Sequence, residues 1–444
     1  MTALERFFTL SHPERKNLLQ EAICREHTNH FERNAAYRRT VSGRGIGAHL
    51  EKPEEVRLLR PAALTFKEYI ERMGPFPQDH PSEFLAWLQD QVSIALPNLP
   101  EGALKNHYPS LEALLRAIER LYVGLGIEIV TSSGTSGLAS FVLRDRPTVE
   151  LAVSAFFTGI QRSWKIVRGM ALIFMMPRET RVAMARVARL GTHTLGWGDE
   201  SPIYYTVPFA ASPDQIRVRS GRLYRPGWEG WLEARIINPS MGRLYDQLAI
   251  PRILKLTLEC LHECLRTGRP VLLLGGMSQL HLLARELMKR GPLRLPAGSQ
   301  VATGGGMKER YPFTPDEIRR DLRDTFQGVH VRDVYGMAEA NWAAFECPAG
   351  NYHIPPWIYA VVTDQNDHIR TGPDTTGTLA FFDPIGGGCL VPPFFQTADM
   401  VRLVNGSSAY EPDLVCPCGE ELPYIAGRIQ RVDLVEEAGC AGQV

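Results

Sequence analysis

From residue 127 onward the sequence alternates short apolar, β-branched runs with longer runs of helical period, and this alternation limits the fold more than any other feature. The runs are IEIVT at 127–131, PTVELAVSAFFTGIQRSW at 147–164, ALIFMM at 171–176, ILKLTLECLHECLRTG at 253–268, VLLLGG at 271–276, QLHLLARELMKRG at 279–291, QVATGGG at 300–306 and DEIRRDLRDTFQG at 316–328. Parallel strands need a crossover of a dozen or more residues between them, usually a helix, so strand–helix alternation predicts an α/β domain with a largely parallel sheet. We place that core at 126–356. The stretch 357–431 loses the helical runs and reads as a β-rich subdomain of short strands and turns, followed by a tail at 432–444. Residues 1–125 read as a helical extension packed on the main domain, broken by Pro-rich stretches at 73–81 and 97–109, with the clearest helical period in LEALLRAIERLY at 111–122.

Charge excludes some partners. Lys+Arg and Asp+Glu each number 49, so there is no global basic footprint for nucleic acid or an anionic membrane. No apolar run nears the ~20 residues of a bilayer-crossing helix, and the first residues, MTALERFFTLSHPERK, mix charges where a secretory signal would be apolar. A cytoplasmic protein with no nucleic-acid or membrane partner is the expectation. The 8 cysteines in 444 residues are too sparse for a disulfide scaffold, which leaves them as thiols or metal thiolates.

Three glycine- and hydroxyl-bearing segments carry chemistry. Thr131-Ser132-Ser133-Gly134-Thr135-Ser136-Gly137 follows a strand and precedes a helical run. Its small residues let backbone N–H groups and hydroxyls wrap phosphate oxygens, although it lacks the GKS or GKT of a Walker loop. A plain surface loop accounts for such a stretch equally well. Thr303-Gly304-Gly305-Gly306, with Lys308 beyond it, closes another strand at the end where open α/β sheets bind ligands; a tight turn is the alternative. Asp333-Val334-Tyr335-Gly336-Met337-Ala338-Glu339 sets a ring able to stack on a base four residues before a carboxylate able to hold Mg²⁺. Taken singly, Tyr335 reads as a core aromatic and Glu339 as a solvated charge.

In this order the segments resemble the adenylate-forming superfamily, which includes acyl-CoA ligases and the adenylation domains of peptide synthetases. The resemblance implies that Ser132, Ser133, Gly134, Thr135, Ser136 and Gly137 bind the phosphates of ATP, that Gly304, Gly305 and Gly306 line the adenine, and that Tyr335, Gly336, Met337 and Glu339 form the nucleotide and magnesium motif. Thr397-Ala398-Asp399 resembles the family's TGD, whose aspartate holds the ribose hydroxyls, with Ala398 in place of the usual glycine. Gly427-Arg428 resembles the glycine-arginine of the hinge.

Within the superfamily the chain is most similar to the acyl-protein synthetase (LuxE-like) family, and more distantly to phenylacetate-CoA ligases. The phosphate loop has no lysine, GGGMKER resembles the GGWK segment with Met307 for the usual Trp, and EC(x)5H, CPCG, GRI and a terminal Gly-Cys recur in order over about residues 125–441. The resemblance implies the large N-terminal domain of an adenylate-forming enzyme, without the C-terminal domain that carries a catalytic lysine. Catalytic charge then falls to Mg²⁺ and to Lys308 or Arg428. It also implies that Cys440, in a glycine-flanked tail, accepts the acyl group as a thioester; an ordinary exposed tail cysteine fits the sequence too.

Cys347 and His353, spaced CxxxxxH, with Cys416 and Cys418 in CPCG, supply three thiolates and one imidazole. That set suits a closed, structural Zn²⁺ site, and the phenylacetate-CoA ligase resemblance adds to it, while four reduced side chains in turns remain the alternative. Cys24, Cys260, Cys264 and Cys389 read as structural.

The expected reaction is ATP- and Mg²⁺-dependent activation of a fatty or aryl carboxylic acid to an acyl-adenylate, then transfer to a thiol. The acceptor stays open between Cys440, the phosphopantetheine of a carrier protein, and coenzyme A, with an acyl reductase or carrier protein as a further partner. The alternatives are an acyl- or aryl-CoA ligase, and a nucleotide-binding scaffold without turnover.

Overall fold

The computed structural model describes residues 3–97, 99–100, 102–132, 138–194, 197–305, 311–384 and 390–431. The apolar runs of the core become strands Ala171–Pro177, Val271–Gly275, Gln300–Gly304 and His330–Gly336, joined by Ile203–Val207, which lies outside the runs singled out in the sequence. They pair in parallel, with Val271–Gly275 and Gln300–Gly304 between their neighbours. Val271–Gly275 is buried along its whole length, which explains the continuous VLLLG run: a strand covered on both faces has no polar alternation. Helices Arg146–Trp164, Ile250–Arg266, Met277–Met288 and Pro315–Thr325 form where the helical period predicts them. Their starts are written in the sequence. Asp145 accepts from the Thr148 amide with Pro147 in the first turn, and Thr314 and Glu317 close a capping box.

The same sheet continues through antiparallel strands Ala343–Glu346, Tyr352–His353, Tyr424–Ile425, Phe394–Val404, Asp374–Phe382 and Tyr359–Thr363, and with the short strands Arg60–Pro61 and Gln430–Arg431 beside Phe394–Val404 it has 13 strands among the described residues. A parallel half and a β-rich half are thus one hydrogen-bonded structure. Among the described residues no helix is long and apolar enough to cross a membrane.

The N-terminal part is helical, as expected, with one addition. Residues Arg60–Pro61 pair in parallel with Phe395 and Gln396 of the long Phe394–Val404 strand. Around this strand, Leu19, Ile23, Tyr37 and Val41 pack on Val361, Phe382 and Phe394, burying one face of the β-rich half. Phe66, Tyr69, Phe84 and Trp87 pack on Phe141, Phe381 and Phe395. Helix Leu111–Leu121 is fixed at its start by the carboxylate of Asp214, which accepts from the amides of Leu111 and Glu112 at 2.9 and 3.0 Å, an anion on a helix N-terminus.

One sequence expectation is corrected. The Ser/Gly loop does not lead directly into a helix: strand Glu128–Thr131 turns back on Phe141–Arg144 in a two-stranded antiparallel hairpin, and the helix begins only at Arg146. Four residues, FVLR, abut the helix with only Asp145 between, too short a run to show a period of its own.

Candidate functional site

The parallel strands Gln300–Gly304 and His330–Gly336 lie side by side and end at the same edge, Gly304 facing Val334 across the ladder. Two of the glycines are required there. A Cβ on Gly304 would stand 2.9 Å from Val334 Cγ1, and Gly305 has φ +82°, a left-handed conformation that suits glycine. Thr303 Oγ1 donates to Asp333 Oδ1 at 2.6 Å, and Tyr352 donates to the other oxygen at 3.0 Å, which ties the two strand ends and the Tyr352–His353 strand together. Burial raises the Asp333 carboxyl above its usual range.

Tyr335 follows on the His330–Gly336 strand. Three strands separate it from Phe394–Val404 in the sheet order, yet its hydroxyl donates to Asp399 Oδ2 at 2.7 Å. The sheet therefore curls so that two residues of separate motifs meet. Asp399 is half-buried; burial raises its carboxyl, opposed by the Tyr335 hydrogen bond and by Arg431, which pairs with it across the ladder. Thr397 Oγ1 accepts from the Asp399 amide at 3.0 Å and donates to Leu379 O, fixing the irregularity of the strand at Thr397-Ala398-Asp399, where its register with Asp374–Phe382 shifts.

Glu339 lies in the turn after Gly336, half-buried. That turn is clamped by Arg144 at the end of the hairpin, whose guanidinium donates to Ala338 O at 2.7 Å and Ala340 O at 3.0 Å. The same hairpin carries the Ser/Gly loop, whose ends are pinned: the Ser132 amide donates to Ser140 O at 3.2 Å and the Ser140 amide to Ser132 Oγ at 3.0 Å. The hairpin in turn is fixed by buried Arg181, which reaches Glu112, Glu119 and Ile129 O at 2.7, 2.6 and 3.0 Å. Lys67, in the turn between helices Ala62–Thr65 and Tyr69–Met73, is half-buried within electrostatic reach of Glu339 and Arg431.

Of the residues singled out in the sequence, Gly304 pairs with Val334 beside Tyr335, Tyr335 meets Asp399, and the turn of Met337 to Glu339 is held by Arg144 of the hairpin. Arg428 is exposed and ion-pairs with Asp316 on the Pro315–Thr325 helix. Ser133, Gly134, Thr135, Ser136, Gly137, Gly306, Lys308, Cys389 and Cys440 lie outside the described residues. Arg144, Arg181 and Lys67 were not legible in the sequence: each is a lone cation whose role depends on what a strand end or turn docks against.

The Cys/His cluster is a second centre. Two turns build it. In one, the Cys347 amide donates to Asn351 O and Gly350, at φ +76°, donates to Cys347 O; in the other, Gly419, at φ +86°, donates to Cys416 O. The candidate ligand atoms of Cys347, His353, Cys416 and Cys418 lie within 4.8 Å of one another. Cys347 Sγ and Cys416 Sγ are 3.8 Å apart, and His353 Nε2 is 3.2 Å from Cys418 Sγ. A tetrahedron with metal–sulfur bonds of about 2.3 Å has sulfur–sulfur edges of about 3.8 Å, whereas a disulfide would bring the sulfurs to about 2.05 Å. The donor set and spacing fit a tetrahedral metal. Asn351 Nδ2 donates to Cys416 Sγ at 3.3 Å, which orients that sulfur toward the cluster. Without a cation, burial pushes the Cys418 thiol up to about 12, so a metal is what would keep it ionised.

Residues 247–442 match the sequence profile of the family described as acyl-protein synthetase, LuxE. The long-chain-fatty-acid–luciferin-component ligase of Aliivibrio fischeri is 27% identical over 151 residues, a stretch that spans 32% of this chain and 39% of that protein. The enzyme of the same name from Vibrio harveyi is 21% identical over 365 residues, 73% of this chain and 83% of that one. Among solved structures, an open conformation of 2-hydroxyisobutyryl-CoA ligase in complex with 2-HIB-AMP and CoA covers 96% of this chain and 72% of its own, with a TM-score of 0.56 at 15% identity. The same ligase in its thioesterification state gives 0.53 at 14% identity, over 97% and 70%. At these identities the likeness carries the fold.

Proposed function

We propose that the chain acts as a LuxE-like member of the adenylate-forming superfamily, activating a carboxylic acid with ATP and passing the acyl group to a thiol. The observation that carries this reading is the meeting of Tyr335 and Asp399, whose strands have three others between them in the sheet, at the strand end from which the Glu339 turn follows. A ring and a carboxylate so joined suit a nucleoside, the ring against the base and the carboxylate toward the ribose hydroxyls. Backbone and hydroxyl groups of 132–137 then take the phosphates, and Gly304, Gly305 and Gly306 offer a flat surface without side chains.

In the first half-reaction a carboxylate oxygen attacks the α-phosphorus in line, the bond to the bridging oxygen breaks, and pyrophosphate leaves with the electron pair. Glu339 would hold Mg²⁺, which supplies charge neutralisation on the phosphates when bound. In the second, a thiolate attacks the carbonyl of the mixed anhydride and AMP departs. Long-chain fatty acids are the substrate class that the relatives' names favour, with Cys440 or a carrier protein as acceptor. The fold likeness to a CoA ligase favours coenzyme A as the second reading. Cys347, His353, Cys416 and Cys418 would hold Zn²⁺ with four protein ligands, a closed set that suits a structural role.

Acid-dependent exchange of pyrophosphate into ATP, measured over fatty acids of several lengths and aryl acids, tests the first half-reaction. We expect exchange with at least one acid; ATP binding without exchange for any of them would leave a nucleotide-binding scaffold. A hydroxylamine-sensitive acyl group that is lost in Cys440→Ser, with exchange kept, assigns the acceptor. Labelling that persists in the serine variant removes Cys440 from that role.

A further inference from the structure

One helix runs without a break from Gly227 to Arg266, although it contains Pro239 and Pro251. A proline removes a donor from a helix interior, and here a π-helical turn precedes each one. In Glu233–Ile237 the Asn238 amide donates to Glu233 O, and in Tyr245–Ala249 the Ile250 amide donates to Tyr245 O, so the helix continues past both prolines as one rod. One side of the rod is fastened to the body. Glu233 ion-pairs with Arg217 of helix Pro213–Ser220 at 2.6 Å, Asn238 Nδ2 donates to Tyr224 Oη at 2.6 Å, and the Arg219 guanidinium lies over the Tyr245 ring at 3.7 Å. Side chains left exposed between these anchors therefore face away from the body, and the largest are apolar. Trp228, Trp231, Ile236, Leu244 and Leu248 are 72%, 60%, 48%, 57% and 64% exposed. They are strung along about 30 Å of helix, an apolar surface of the kind that marks an interaction site.

Charge identifies what this surface fits. Residues 215–256 hold eight arginines and lysines against three aspartates and glutamates, in a chain whose 49 of each cancel. The expectation of no membrane partner rests on that whole-chain balance, which averages this segment away. Arg235, Arg243 and Arg252 are exposed along the same rod and join no ion pair among the described residues. We infer that the helix docks on an anionic lipid bilayer, lying in its surface with the two tryptophans and the aliphatic side chains among headgroups and upper acyl chains, and the three arginines against lipid phosphates. Tryptophan sits well at headgroup depth, and a basic, apolar-faced helix is the form of interfacial anchors. A convex rod needs a shaped groove on a protein partner, whereas a fluid bilayer accepts it as it stands. The helix lies on the membrane rather than crossing it, since no described helix is long and apolar enough to span one. The inference stands apart from the adenylation reading and needs no turnover.

Flotation of the full chain with vesicles of phosphatidylcholine and phosphatidylglycerol, three to one, tests this directly. We expect binding to these vesicles that weakens with salt, and affinity for phosphatidylcholine alone lower by about tenfold or more. The double variant Trp228→Ser/Trp231→Ser should bind about a hundredfold more weakly, and Arg235→Gln/Arg243→Gln about thirtyfold more weakly. Thermal unfolding should stay as in the unaltered protein, because all four side chains are exposed. No binding, equal binding to both kinds of vesicle, or full affinity in either variant overturns the inference. Should the variants fail to fold, tryptophan emission of the unaltered protein decides: lipids brominated on the acyl chain should quench it, and vesicle-bound protein without quenching contradicts the inference. Sedimentation without lipid covers the remaining occupant. A dimer that the tryptophan variant converts to monomer would assign the face to a second copy of the chain and remove the bilayer from it.

Discussion

At the nucleotide face the groups assigned to chemistry stand on separate pieces of backbone, and what aligns them is other residues: Arg144 under the Glu339 turn, Thr397 under Asp399, Thr303 and Tyr352 on Asp333. At the Cys/His cluster the ligands are themselves the contact, with sulfur on sulfur and sulfur on imidazole across two glycine turns. The second brings three sulfurs and one imidazole nitrogen close enough to surround a cation, beside the strands Tyr352–His353 and Tyr424–Ile425 of the same sheet. A side chain removed from the first should cost chemistry, and one removed from the second should cost the fold around it.

The largest effect is therefore expected in the cluster. Removing the metal with a chelator, or replacing one ligand in Cys416→Ser, leaves buried thiols without a cation and two turns without a tie; we expect a loss of about 4 kcal/mol or more in stability. Metal analysis of protein prepared without chelator should give about one zinc per chain. Unchanged thermal unfolding after chelation would show that the turns stand without the ion, and would erase the contrast. Next in size, Glu339→Gln should keep the fold and lower exchange about a hundredfold, on the order of 3 kcal/mol in the barrier, since a neutral amide binds a hard cation poorly. Full exchange in that variant moves the magnesium site elsewhere.

Asp399→Ala should weaken ATP by about 2 kcal/mol, roughly thirtyfold, through loss of a charge-assisted ribose contact. It also strips the Tyr335 hydroxyl of its acceptor. Calorimetric titration with ATP checks this, and an unaltered affinity would exclude Asp399 from the nucleotide site.

How far the sequence carried these two regions differs for a physical reason. The parallel core was legible because strands buried on both faces must be continuously apolar, as in Val271–Gly275, and helices announce themselves by caps such as Thr314 with Glu317. The cluster was legible because metal ligands must be particular residues at short spacing, and Cys347, His353, Cys416 and Cys418 do come together. The contact of Tyr335 with Asp399 was not, since it arises from the curl of the sheet over three intervening strands. Nor was the Phe141–Arg144 strand, whose four residues are defined by the partner they pair with rather than by any pattern of their own.

The smallest expected effect is a pH dependence that separates the two regions again. Burial raises the folded-state carboxyl of Asp399 above its ordinary 3.8, and that of Asp333 likewise, so the folded protein holds these protons more tightly than the unfolded chain does. The sign follows from proton linkage: between the ordinary and the raised value the native state binds more protons, and stability from these groups falls as pH rises. Paired carboxylates such as Glu112, held low by Arg181, act in the opposite sense and lose their contribution as pH falls. The total profile mixes both, so the quantity to follow is the unfolding midpoint of the unaltered protein minus that of Asp399→Asn, from pH 4 to 7. Asparagine keeps an acceptor for Tyr335 and cannot ionise. The difference should shrink or change sign as pH rises, because only the aspartate comes to bear a half-buried charge. A difference that is flat with pH would mean that Asp399 ionises at its ordinary value, already solvated and stabilised by Tyr335 and Arg431. In that case the nucleotide face, like the cluster, is held by paired charges, and the contrast between the two regions loses its electrostatic part.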